Sequence, residues 1–163
     1  IESDILSDGQ LDYPDDILAQ FDFVIASVHS AFRQSKEEMT RRILKAMENK
    51  YVSMLGHVTG RILLAREGYA LDMEAVLKQA ADTGTIVEIN SNPYRLDLDW
   101  RWCRIAKEMG VLLSVNPDAH SLEELDYVRY GLLTARKGWL QKADIVNTCK
   151  RGEVLNVLQR KRK

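Results

Sequence analysis

The sequence predicts an α/β fold of parallel strands joined by crossover helices, and two observations carry that prediction. Short β-rich apolar runs alternate along the chain with helix-length segments. Consecutive strands separated by connections of that length pair in parallel, through right-handed crossovers. In addition, each of the three histidines stands just beyond the carboxyl end of an apolar run. FVIAS leads into Val28-His29-Ser30, YVSMLG into His57, and VLLSV into Asn116-Pro117-Asp118-Ala119-His120. In β/α folds the loops after the strands converge on one face, where side chains from distant parts of the chain meet.

The first strand lies within Ile1-Glu2-Ser3-Asp4-Ile5-Leu6, and Asp8-Gly9 then supplies turn chemistry. Pro14 stands near the first turn of a short helix reaching about Gln20. Phe23 to Ser27 reads as the second strand. Ser35 followed by Glu38 fits a capping box. The helix it opens places Met39, Ile43, Ala46 and Met47 at helical spacing, with Lys36, Arg41, Arg42 and Lys45 on the other faces. Tyr51 to Leu55 is the third strand, followed by the loop GHVTGR and a short apolar piece, ILLA. Asp72 to Ala81 is a helix with Met73, Val76, Leu77 and Ala80 on its apolar face, ended by Gly84. Thr85 to Ile89 is the fourth strand. Asp99 caps a helix to Met109 that Gly110 stops, and Val111 to Val115 is the fifth strand. Helices from Leu122 to about Arg136 and from Asp144 to the end complete the chain, and the tail Arg160-Lys161-Arg162-Lys163 reads as a solvated basic end.

A length of 163 residues suits one core, and 45% apolar with 29% charged residues is ordinary globular composition. A net charge of −1 gives no global attraction to nucleic acid or membrane, so any affinity for phosphate must be local. The longest apolar runs are strand-length and no signal peptide opens the sequence, so no membrane partner is expected. Cys103 and Cys149 lie far apart and form no CxxC, which fits reduced thiols in a cytoplasmic protein.

Imidazole and carboxylate converging on one face are ligands for divalent transition metals. A lone loop histidine is ordinarily only hydrogen-bonded, but Asp118 and His120 share a loop with each other and a face with His29 and His57. Arg61 and Arg95 lie in loops on the same face, where guanidinium could take phosphate in a bidentate grip or form an ordinary salt bridge. Trp100, Trp102 and Trp139 read as packing residues; the first two adjoin a helix start, where an exposed ring could stack a base.

The blocks IESDILSDGQLDYPDDIL, FDFVIASVHSAFRQSKEEMTRRILKAMEN, GHVTGR, EINSNPYRLDL and NPDAHS, in this order and spacing, resemble the carboxyl-terminal domain of bacterial family X DNA polymerases. That domain belongs to the polymerase and histidinol phosphatase (PHP) superfamily. The resemblance implies a distorted (β/α)7 barrel, a cluster of up to three Mn²⁺ or Zn²⁺ ions, and 3′-5′ exonuclease or related phosphoester hydrolysis. It makes Glu2 the glutamate of a Gly-x-Glu motif, His29 the histidine of Ser-x-His, His57 that of Gly-His-Pro, and Asp118 with His120 the closing Asp-x-His. Val58 replaces the usual proline and Pro117 a common threonine, which leaves every ligand in place. The family's His-x-His and Asp-His motifs precede the glutamate. Residues 1–163 are therefore expected to form a partial PHP domain without the first strands and first metal motifs, able to dimerise through an open barrel edge. Expected partners are DNA 3′ ends and an adjoining polymerase domain. A histidinol-phosphatase-like enzyme and a non-catalytic accessory domain are the alternatives.

Overall fold

The computed structural model describes residues 1–162. Five strands form one all-parallel sheet: β1 (Glu2–Asp4), β2 (Val24–Ser27), β3 (Val52–Leu55), β4 (Ile86–Asn90) and β5 (Leu113–Asn116), side by side in sequence order. Each strand lies next to its predecessor with no reversal of order. That is the winding of a β/α barrel; a doubly wound sheet turns back at a switch point. The fold class expected from the alternation of elements is the one observed.

The helices are α1 (Asp15–Leu18), α2 (Lys36–Glu48), α3 (Met73–Thr83), α4 (Trp100–Glu108), α5 (Val128–Lys137) and α6 (Arg151–Leu158). Local chemistry sets their ends. Ser35 Oγ accepts from Glu38 N–H while Glu38 Oε2 accepts from Ser35 N–H, completing the capping box of α2. Asp72 and Asp99 cap α3 and α4 by accepting from Ala75 N–H and Arg101 N–H. Gly84 ends α3 at φ +74°, a conformation side chains disfavour.

Alternate side chains of the strands feed two cores. Val87 and Ile89 of β4 join Met39, Ile43, Val76 and Leu77 under the crossover helices. On the opposite, inner face Met54 and Ile86 meet Val146 and Leu158. Helix α5 reaches the sheet because Gly131 has no side chain: a Cβ there would lie 2.5 Å from both Ser91 Cβ and Val115 Cγ1. Gly131→Ala should therefore destabilise by about 1–3 kcal/mol. A solvent-facing helical site would instead gain stability from alanine, so thermal denaturation tests the close approach by its sign.

Several details differ from the sequence reading. Arg42, placed with Lys36, Arg41 and Lys45 on the faces of α2 away from its apolar residues, is 1% exposed. Its guanidinium donates to Ile5 O and Ser30 O, two loop carbonyls for which the sheet provides no donor. The apolar piece ILLA forms a tight turn with Leu64 fully exposed at its tip. Trp139, read as packing, is 73% exposed. Lastly, no continuous helix runs from Asp144. Short 3₁₀ turns at Lys142–Asp144 and Val146–Thr148 precede α6, because Ile145 bridges to Leu113 and Asn147 reaches the edge of β5. Asn147 Oδ1 accepts from Val115 N–H at 2.8 Å and its Nδ2 donates to Val115 O at 3.0 Å. At the other edge Asp12 does likewise for Asp4, accepting its N–H through Oδ1 and donating its own N–H to Asp4 O, both at 3.0 Å.

The basic tail is also tied down. Lys161 Nζ donates to Met47 O in the last turn of α2, Arg160 Nε to Gly84 O at the end of α3, and Arg162 to Phe21 O. Cations at helix carboxyl ends satisfy orphan carbonyls and complement the dipole. Burial, reinforced by the Arg160 charge, brings the Lys161 ammonium down to about 8. Among the described residues no helix is long and apolar enough to cross a membrane.

Candidate metal centre

Glu2 leaves β1 toward the inner face, and His29 and His57 follow β2 and β3, so three consecutive parallel strands deliver three donors to one place. Their ligand atoms all lie within 4.8 Å of one another. Glu2 Oε1 stands 3.5 Å from His29 Nε2 and 3.3 Å from His57 Nε2. Donors about 2.0–2.1 Å from a tetrahedral ion would be separated by about 3.4 Å. The observed spacings therefore suit a zinc-sized ion, and a set of two imidazoles and one carboxylate suits a transition metal. The imidazole rings meet edge to face with centroids 5.0 Å apart.

Electrostatics tie the set together. The hydrogen bond with His57, working against burial, holds the Glu2 carboxyl down at about 2. Burial of His57 (4% exposed) opposes its charge, but the Glu2 and Glu88 carboxylates outweigh it and raise the imidazole above its ordinary range. His57 Nδ1 is buried without a hydrogen-bond partner. The backbone turns through φ +21° at His57, and Glu88 Oε2 accepts its N–H at 2.6 Å.

Glu88 is the residue that sequence reasoning missed. It is buried on β4, also accepts from Asn116 Nδ2 at 2.9 Å, and burial raises its carboxyl. A signal was present: both faces of a parallel sheet are covered, so a carboxylate between Val87 and Ile89 must point into a polar site.

Asp118 borders the same cavity of about 350 Å³ as Glu2, His57 and Glu88, whose remaining walls include Ile25 and Met54. Its carboxylate accepts from Asn90 Nδ2 at 3.0 Å and lies 3.5 Å from Arg95 Nε. His120 stands apart, its side chain 80% exposed, with Nδ1 2.8 Å from Asp118 O and its N–H donating to Glu124. So Glu2, His29 and His57 come together, Asp118 lies alongside, and His120 remains outside the triad. Arg95 Nη1 is buried without a partner. Arg61 spends its guanidinium on the Arg95 and Leu96 carbonyls, with Asp99 3.6 Å away.

No protein-family model matches the chain. It is 44% identical over 147 residues, 90% of its length, to the DNA polymerase/3′-5′ exonuclease PolX of Bacillus subtilis. A probable phosphatase of Caldanaerobacter subterraneus subsp. tengcongensis is 34% identical over 74% of the chain, and one of Thermoanaerobacter sp. is 29% identical over 91%. The chain spans 26% of the polymerase's length and 49% and 62% of the two phosphatases. The likeness to PolX spans nearly the whole chain, and the sheet has the winding of a β/α barrel. The chain belongs to the polymerase and histidinol phosphatase superfamily, and it corresponds to PHP-domain sequence of the kind a family X DNA polymerase carries.

Proposed function

We propose that this chain supplies part of the metal site of a phosphoesterase acting on DNA 3′ ends, the 3′-5′ exonuclease of a cytoplasmic repair polymerase of family X. Residues 1–163 are then part of a (β/α)7 barrel adjoining a polymerase domain, with Glu2, His29 and His57 as ligands for the one Mn²⁺ or Zn²⁺ ion that this chain binds by itself, and Asp118 and His120 as ligands for a further ion of the complete site. The observation that carries this reading is the single Glu2 oxygen facing both histidine Nε2 atoms. A divalent ion bound there supplies Lewis-acid polarisation of a phosphoryl oxygen and a lowered pKa for the attacking water. The chain's own residues do the rest. Glu2 offsets the charge of the ion, and Glu88 holds the His57 loop by its N–H. Arg95, whose Nε stands beside Asp118 and whose buried Nη1 has no partner, orients the phosphate. Arg61 takes part through the carbonyls of the Arg95 loop.

Calorimetric titration of the chain with Zn²⁺ or Mn²⁺ should show one equivalent bound. The affinity should weaken as pH falls, because protons compete for the imidazoles. Absence of binding to the chain would remove the basis of the reading. The probable-phosphatase relatives favour a second reading, a small-molecule phosphatase. Comparing release from a 3′-terminal DNA nucleotide with release from a sugar or amino-alcohol phosphate, in a protein containing this chain, separates the two. Metal binding without turnover of either would indicate an accessory domain.

A further inference from the structure

The His29 ring has a carboxylate beside each nitrogen. Nε2 stands 3.5 Å from Glu2 Oε1 and Nδ1 stands 3.5 Å from Asp4 Oδ1. A neutral imidazole carries one ring proton, and the nitrogen that lacks it offers the lone pair. Were the proton on Nε2, the lone pair would face Asp4, away from Glu2 and His57.

The two carboxylates are not equivalent. Asp4 Oδ1 also accepts the backbone N–H of His29 at 3.0 Å, so the oxygen that holds the residue is the one that stands beside its ring. Asp4 is itself held, since Asp12 occupies its N–H and its carbonyl, and Ser3 Oγ donates to Asp12 at 2.5 Å. Glu2 is held by neither arrangement and its side chain is 42% exposed.

We propose that Asp4 is a positioning residue for the metal site: it holds the proton of His29 on Nδ1 and so directs the Nε2 lone pair toward Glu2 and His57. Ligating histidines commonly donate their second nitrogen to a carboxylate, and loss of that partner typically costs about 10–100-fold in metal affinity. The inference rests on the reading of His29 as a ligand.

The test is ¹⁵N NMR of the histidine rings in the metal-free chain at about pH 8.5, above the ordinary imidazole range. His29 should be found in the Nδ1–H form. Asp4→Ala should shift it toward Nε2–H and lower Zn²⁺ affinity at least about tenfold. Asp4→Asn, which keeps an acceptor oxygen, should fall between the two. A wild-type His29 in the Nε2–H form overturns the proposal without any variant, which covers the case in which Asp4→Ala does not fold. Unchanged tautomer and affinity in Asp4→Ala, with Zn²⁺ still shifting the His29 signals, overturn it too and leave the metal site intact. Zn²⁺ that binds without shifting His29 would instead remove His29 from the site.

Discussion

His57→Ala is expected to lower the Zn²⁺ affinity of the chain by roughly a hundredfold or more, the largest effect of any single ligand replacement. The ring is 4% exposed and touches the Glu2 oxygen that faces His29. Its loss leaves one imidazole and one carboxylate, fewer than the three protein ligands a catalytic zinc site ordinarily uses. The drop should exceed the 10–100-fold typical of losing an outer partner. In a protein containing the whole site, phosphoester hydrolysis should fall to background. The Glu2 carboxyl, held down at about 2 chiefly by its hydrogen bond to His57, should move back up toward 4.5, which ¹³C titration of the side chain would read. His120→Ala serves as the contrast, because that ring is exposed and outside the triad. In this chain it should change Zn²⁺ affinity by no more than about threefold, less than the loss of even an outer partner. Equal losses in the two variants would mean that the triad is not where the ion sits.

Arg42→Ala should be the most damaging change to stability. The guanidinium is buried and satisfies Ile5 O, Ser30 O and Gln34 Oε1. Truncation leaves these acceptors without their donor at about 1–3 kcal/mol for each fully buried group, and opens a cavity besides. A total of about 3–5 kcal/mol corresponds to a fall in Tm of roughly 10 °C for a chain of this size. A functional consequence follows from which carbonyls these are. Ile5 stands just after β1, which carries Glu2, and Ser30 just after His29. Losing Arg42 frees both segments, so metal affinity should fall even at temperatures where the chain remains folded. A variant with wild-type Tm would show that the two carbonyls find other partners.

The sequence was most legible where structure depends on near neighbours. Ser35 with Glu38, Asp72, Asp99 and Gly84 act within one helical turn, and their roles could be read without knowing the fold. Strand starts were less so: Val111 and Leu112 precede β5, because sheet pairing rather than apolar character fixes where a strand begins. His29 and His57 come together as the topology rule for strand ends requires, and Glu2 meets them from within β1. Arg42 and Asn147 were illegible, because each answers carbonyls or strand edges far away in sequence. Asp4 was hidden for a related reason, since the histidine whose N–H it accepts follows a different strand, whereas Glu88 was betrayed by its place between Val87 and Ile89. The common face predicted for the ligands brings Asp118 beside the triad, but local bonding to Asp118 and Glu124 turns the His120 ring outward.

The pairing of Asp12 with Asp4 and of Asn147 with Val115 gives the sheet a boundary on each side. A bare outer strand acts as a template: its row of free N–H and C=O groups will recruit any extended segment, including one from another molecule. Here one residue on each flank imitates a neighbouring strand and takes up a donor and an acceptor, Asn147 through its side-chain amide and Asp12 through its carboxylate and its own N–H, so an incoming strand would meet an interrupted row. It would have to displace two good hydrogen bonds before gaining its own, and it would find no continuous register to follow. Growth by strand addition, the first step toward fibrils and toward the edge-to-edge dimer that an open sheet invites, is thereby penalised at both edges by two residues that contribute nothing to the apolar core.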